Sequence, residues 1–241
     1  MTVLSVDCTA KPASAALLKS GKIIGSTYIN VGLTHSETLM PMISELLENT
    51  GTPLSSVDFF AINAGPGSFT GVRIGIAALK GLTLLREPCT VPVSTIESMV
   101  YRFMGVRDGL YCGAMDARCS QVYTAVFRIE NGEVKRLTED AALPVTELPG
   151  ILSRFGEEVT FLGDGAEICF NALSSEHPGY RLAPEQMRYQ HAEGVALAAE
   201  RKLSEGFEPL RSEELLPTYL RLPQAERELN NKKKRNKEDA K

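Results

Sequence analysis

Groups that commonly do chemistry are scarce in this sequence. There are three histidines, His35, His177 and His191, far apart and in no HxxxH or HExxH pair. A helix-borne zinc site therefore has no candidate ligands. The five cysteines, Cys8, Cys89, Cys112, Cys119 and Cys169, are odd in number and scattered, with no CxxC pair. Neither a structural zinc site nor a disulfide framework is expected, and reduced thiols in the cytosol are the simplest account. No stretch is long and apolar enough to span a bilayer. The opening "MTVLSVDCTA" lacks the basic lead and apolar run of a signal peptide. These absences lead to the expectation of a cytoplasmic chain with no membrane contact and no metal site.

What is present is ordinary for a folded protein: 43% apolar and 23% charged residues over 241 positions. One or two compact lobes fit that length. The net charge of −4 is unevenly spread. From Arg227 to Lys241 seven basic and three acidic side chains leave a surplus of four positive charges, so the rest carries −8. An acidic body argues against a broad nucleic-acid surface. The tail "NNKKKRNKEDAK" has no apolar periodicity and reads as a solvated, disordered segment, or else as an arm for phosphates or an acidic partner.

"VLSVDCT" (Val3 to Thr9) reads as a strand, and "SAALLKSGKIIGSTYINV" as two more around the turn-prone Ser20–Gly21–Lys22. In "THSETLMPMISELLENTG" the period changes, with Leu39, Ile43, Leu46 and Leu47 on one helical face. Thr34 and Glu37 fit a capping box, Gly51 a stop, and Pro41 predicts a kink or a later start. "VDFFAINAG" is a buried strand; a glycine loop and a helix from about Gly71 to Arg86 follow, then the strand "TVPVS" and the helix "TIESMVYRFM". The order β-β-β-α-β-α-β-α predicts a mixed sheet of three antiparallel strands extended by two parallel ones. Beyond Gly105–Gly109 the plan restarts less cleanly. "LYCGAMDA", "QVYTAVFRI" and "GEVKRL" read as strands, "VTELPGILSRFG" as a helix, "EVTFLGDGA" as a strand into a turn, and "QHAEGVALAAERKLSEG" as an amphipathic helix. This divides the chain into a first lobe over 1–105, an abbreviated second lobe over 106–222 whose late helix or "LLPTYLRLP" segment returns to the first, and a tail over 223–241.

The loop "NAGPGSFTGVRIG" admits two readings. It matches neither common phosphate fingerprint, having no GKS or GKT ending and no GxGxxG directly after the strand. It nonetheless joins a strand to a helix start, where free amides favour an anion. Gly65 and Gly67 allow positive φ, Ser68 and Thr70 supply hydroxyls with Thr70 as a cap, Arg73 adds charge, and Asp7 at the end of the first strand suits a hydrated cation near phosphates. These six are the candidate anion or nucleotide contacts. The second reading concerns the helix. Gly71, Gly75, Ala78 and Leu82 lie near one face, and His35, Leu39, Met42, Ile43 and Leu46 line the helix before it. Small residues let a second helix approach closely, so these nine form a candidate partner interface. The plain alternative is that both stripes face the sheet. Asp116–Ala117–Arg118 and Gly163–Asp164–Gly165 are turns at strand ends that either cap structure or face a cleft.

Taken in order, "VLSVDCT", "THSETLMPMI", "GPGSFTGVRIG", "VPVSTIESM", "MDARCSQVY", "GDGA" and "PTYLR" resemble the TsaB (YeaZ) family over about Met1 to Leu222, the basic tail excepted. The resemblance implies an α/β, two-lobed actin-like (ASKHA, RNase H-like) fold with a five-stranded mixed sheet in the first lobe. It implies an accessory role in forming N6-threonylcarbamoyladenosine at adenosine 37 of ANN-decoding tRNAs. TsaD would be the catalytic partner in a heterodimer that the ATPase TsaE joins, with a homodimer when alone and tRNA met through the complex. Catalytic relatives carry VxHxExH, whose histidines bind a metal. Aligned on Val93, this chain reads "VSTIESM", with Thr95 and Met99 at the histidine positions and Glu97 retained. Methionine is a poor ligand for a hard or borderline metal. No catalytic residue and no intrinsic cofactor is therefore expected, with ATP or ADP at most at the complex interface. The competing enzyme reading is a degenerate ATPase or a glycoprotease-like metallopeptidase.

Overall fold

The structure, a computed structural model, describes residues 1–32, 34–156 and 158–221. The expectation for the basic tail concerns residues outside the described ones. Among the described residues no helix is long and apolar enough to cross a membrane.

The first sheet forms as the order of its elements predicts. Strands β1 (Thr2–Asp7), β2 (Ala13–Lys19) and β3 (Lys22–Ile29) make an antiparallel meander. Helix α1 (His35–Asn49) follows, then β4 (Phe59–Gly65), helix α2 (Phe69–Thr83), β5 (Thr90–Ser94) and helix α3 (Thr95–Tyr101). The sheet order is β3-β2-β1-β4-β5, with β4 and β5 parallel to β1. Every residue of β1 is buried, which requires cover on both faces. On one face Leu4, Val6 and Cys8 pack with Leu39, Ile43 and Leu46 of α1 and with Val72, Ile76 and Leu79 of α2.

The second lobe holds β6 (Gly109–Asp116), β7 (Gln121–Glu130), β8 (Glu133–Arg136), β9 (Ala141–Pro144), α4 (Leu148–Leu152), β10 (Val159–Leu162), α5 (Ala166–Leu173), β11 (Tyr180–Leu182) and α6 (Glu185–Arg188). Its sheet runs β11-β10-β6-β7-β8, with β9 also paired to β7. Helix α7 (Ala192–Ser204) returns to the first lobe. Its Val195, Ala196 and Ala199 cover the second face of the first sheet, against Val3, Leu18, Ala61 and Val91. The chain then bridges Thr90 at Leu210 and donates the Thr218 amide to the Ala64 carbonyl at 2.7 Å.

The capping box does not form, and of the two outcomes expected at Pro41 the later start does not occur. The Thr34 side chain makes no cap bond; instead the Thr34 carbonyl accepts the Glu37 amide at 3.0 Å, which closes the first turn without the box. Pro41 neither delays nor ends α1. Its missing donor frees the carbonyl one turn earlier, at Glu37, and that residue is exposed, so water satisfies it.

Candidate functional site

A polar cleft of about 580 Å³ opens between the lobes at the C-terminal ends of β1 and β4. Lys11, Ser68, Thr70 and Arg221 line it from the first-lobe side and the C-terminal segment, and Asp116, Arg118, Tyr123 and Asp164 from the second lobe. The two turns that were ambiguous in sequence thus meet in one place. Asp164 accepts a hydrogen bond from Gln190 Nε2 at 2.8 Å, and Asp116 accepts the Arg118 amide at 2.7 Å. Residues 118–120 all take positive φ at the cleft mouth, an uncommon run for side-chain-bearing residues.

The glycine loop faces its own chain. The Ser68 amide donates to the Thr9 carbonyl at 2.6 Å, and a Cβ on Gly67 would lie 2.5 Å from that same oxygen. Gly65 takes φ +122, and its open side is filled by the Thr218 carbonyl. The Gly65 and Gly67 positions are therefore closely approached by backbone from residues 218 and 9, while Gly67, Ser68 and Thr70 also line the polar cleft. Gly67 does not need positive φ; it is required by close approach. Ser68, rather than Thr70, caps α2, its hydroxyl accepting the Gly71 amide at 3.2 Å. Thr70 is exposed on the cleft wall. Arg73 donates from Nε to the Tyr219 hydroxyl at 2.8 Å and lies 3.8 Å over the Phe69 ring. It pins the C-terminal segment, which crosses to the second lobe where Arg221 donates to the Ala117 carbonyl at 2.6 Å.

Asp7 is 0% exposed and does not reach the cleft. Its Oδ1 accepts from the Thr9 amide at 3.0 Å and the Thr9 hydroxyl at 2.7 Å. Burial pushes its carboxyl up from the ordinary 3.8, and the two Thr9 bonds only partly oppose this. A raised carboxyl contributes stability below pH 3.8 and loses it as pH rises through its folded value. Asp7→Asn keeps the acceptor and removes the ionisable group. It is expected to raise the melting temperature at pH 7 and to give no gain at pH 3, as read by calorimetry at both.

Six of the nine interface candidates are buried within the lobe, while His35, Ala78 and Leu82 are half-buried. Leu39, Met42, Ile43 and Leu46 are between 1% and 4% exposed, inside the lobe's own core. Gly71 and Gly75 face β1 and β4: a Cβ on Gly71 would meet the Cys8 carbonyl, and one on Gly75 would lie 2.7 Å from Cys8 Sγ and 2.8 Å from Ile62 Cδ1. Ala78 and Leu82 pack partly against the same cluster, and a ring nitrogen of His35 contacts the Ala10 carbonyl at 2.9 Å. Gly71 and Gly75 admit the chain's own sheet. The outer face of the two helices carries Met40, Pro41 and Ser44 on α1 and Ala77 and Gly81 on α2, all exposed, followed by exposed Leu84 and Leu85.

The "VSTIESM" segment reaches the lobe junction. Thr95 and Met99 are 0% exposed. Glu97 accepts from Arg136 at 2.7 Å; the same guanidinium holds Asp140 at 2.7 Å, and Asp140 accepts the Ser94 hydroxyl at 2.6 Å. This circuit ties β5 and α3 to β8. Nothing in the sequence pairs residues so far apart. Among the described residues no three metal-ligating side chains cluster.

The other two histidines are engaged separately. His177 stacks on Tyr180 at 4.6 Å. His191 caps α7, its Nδ1 accepting the Glu193 amide at 3.3 Å, and stacks on Tyr28 at 4.9 Å. Burial and the nearby Arg102 guanidinium lower it to about 4, against the pull of Glu193. A depressed histidine contributes stability above the unfolded value of 6.5 and loses it as pH falls toward 4. His191→Asn keeps a capping acceptor and is expected to flatten the fall in melting temperature between pH 6.5 and pH 4.

The family model described as TsaD, tRNA N6-adenosine threonylcarbamoyltransferase, matches residues 30–229. The tRNA threonylcarbamoyladenosine biosynthesis protein TsaB of Bacillus subtilis (strain 168) is 26% identical over 230 residues, covering 94% of this chain and 96% of the relative. The protein of the same name from Haemophilus influenzae is 36% identical over 126 residues, 51% of this chain; that alignment spans about half of the relative, 52%. A crystal structure from Pseudomonas aeruginosa, described as an uncharacterized protein with similarity to peptidase YEAZ, superposes with a TM-score of 0.79 at 30% identity, covering 91% of this chain and 99% of that one. The family-model match covers more than half of the chain, and the chain belongs to the TsaB/YeaZ family, within the reach of the TsaD family model.

Proposed function

We propose that this chain is the non-catalytic, activating subunit of a heterodimer with TsaD that forms N6-threonylcarbamoyladenosine at position 37 of ANN-decoding tRNAs. The observation that carries this reading is the lobe junction. At the two positions where catalytic relatives carry metal-binding histidines, Thr95 and Met99 are buried, and the retained Glu97 is engaged by Arg136. A thioether and a lone hydroxyl make a poor site for a hard or borderline metal. ATP or ADP, where the complex uses it, is assigned to the interface with TsaD. The association surface is the outer face of α1 and α2 together with the residues just after α2, where Met40 on α1 and Leu84 and Leu85 past α2 are 43%, 69% and 97% exposed. Apolar exposure of that kind marks an interaction site. The same face serves a homodimer when the chain is alone, and TsaE joins the completed heterodimer.

Reconstitution of tRNA modification tests the reading. TsaD and TsaE with this chain, supplied with ATP and an activated threonylcarbamoyl donor, are expected to modify tRNA, and to fail without this chain. Full modification in its absence, or modification by this chain unaided, overturns the proposal. Metal-dependent proteolysis lost on His35→Ala would instead favour the metallopeptidase reading.

A further inference from the structure

A second cavity, of about 720 Å³, opens at the opposite edge of the first sheet. Met1 and Phe59 mark the N-terminal ends of β1 and β4 there, whereas the polar cleft begins just past their C-terminal ends. Both lobes build it. Phe59, Tyr101, Leu197 and Phe207 come from the first-lobe side, and Val134 with the Gly132–Glu133 turn from the second. Its walls are mostly apolar, and its volume lies within the usual range for small-molecule sites.

Two observations say what it would take. The cations on the lining and beside it are already engaged, the Met1 ammonium with Asp58 at 3.9 Å. Arg201 meets Glu205 at 2.6 Å and Glu133 at 3.8 Å. The Lys202 ammonium donates to the Pro92 carbonyl at 2.8 Å and sits 4.0 Å over the Phe207 ring. An anionic ligand therefore has no free counter-charge from any of them. The second observation is Tyr101, 5% exposed and on the cavity wall. Among the described residues no protein group hydrogen-bonds its hydroxyl, and that hydroxyl is not one of the buried polar atoms left without a partner, so it is accessible from the cavity. Burial and the Glu97 and Glu205 carboxylates push that hydroxyl up to about 12, so it remains a donor at neutral pH.

We infer that this cavity binds an uncharged small molecule with an aromatic or branched aliphatic body and one acceptor atom, which takes the Tyr101 hydroxyl.

Prodan, a neutral naphthalene carrying one ketone, is the probe. Titration of the full chain is expected to give saturable, blue-shifted emission from one site. Leu197→Trp narrows the cavity with a bulky ring and is expected to weaken binding at least about tenfold, the equivalent of one lost apolar anchor. Tyr101→Phe keeps the shape and is expected to weaken it about three- to tenfold through the lost hydrogen bond. Circular dichroism checks both folds, and the isosteric Tyr101→Phe keeps the test open should the tryptophan variant misfold. Absence of saturable binding, or binding indifferent to either substitution, overturns the inference.

Discussion

Gly75→Leu is expected to unfold the first lobe or to lower its melting temperature drastically. The position faces Cys8 and Ile62, with a Cβ already 2.7 Å from the one and 2.8 Å from the other. Three further carbons have no room between α2 and the central strands. Overpacking a tight core usually costs about 1–3 kcal/mol, and a branched side chain forced onto two buried strands is expected to exceed that, at roughly 4 kcal/mol or more. For a chain of this size that corresponds to a loss on the order of 10 °C. Gly81→Ala is the control on the same helix. It is exposed, and a Cβ there meets nothing within 4 Å. Replacing that glycine is expected to stabilise the helix by about 1 kcal/mol. Differential scanning calorimetry of both variants decides the matter; a Gly75→Leu protein as stable as the parent would show that α2 does not lie against β1 and β4 as described.

The double substitution Ala77→Arg, Gly81→Arg is expected to leave the monomer folded and to abolish activation of TsaD. Both positions project from the outer face of α2, one helical turn apart on one stripe. Two guanidinium groups placed where a partner would bury apolar surface carry a desolvation cost with no counter-charge. Association measured by calorimetry is expected to weaken at least about a hundredfold, equal to about 2.7 kcal/mol. Modification of tRNA should fall in parallel, while the melting temperature stays unchanged. Unaltered affinity would move the interface elsewhere on the chain and leave the exposed Leu84 and Leu85 without a role in it.

These two experiments separate two meanings of the same stripe. Small residues on a helix admit a close neighbour, and the spacing of Gly71 and Gly75 says so without naming the neighbour. The inward face goes to β1 and β4. The outward face, displaced around the same helix, carries Ala77 and Gly81. The rotation of α2 about its own axis decides between them, and that rotation is set by Val72, Ile76 and Leu79 entering the core beside Leu4 and Val6.

The first lobe was legible element by element because its strands are apolar runs bounded by turn residues and α1 repeats its apolar residues at helical spacing. The second lobe was legible only in part. Strand β9, helix α5, strand β11 and helix α6 are between three and eight residues long, too short for a period to stand out. Asp7 was visible as a carboxylate at a strand end, but its burial was not. That depends on Thr9 folding back onto it and on α7 closing the sheet from nearly two hundred residues away.

By itself the sequence determined the mixed sheet of the first lobe, the family resemblance and the replacement of two histidine positions by Thr95 and Met99, because local pattern and residue chemistry carry each of these. Only the tertiary structure decided which way each face looks. It turned the glycine stripe inward, set the chain's own carbonyls against Gly65 and Gly67 and brought Asp116 to Asp164 and Arg136 to Glu97. Packing against distant segments sets burial and pairing, and no short stretch of sequence contains the surface it will meet.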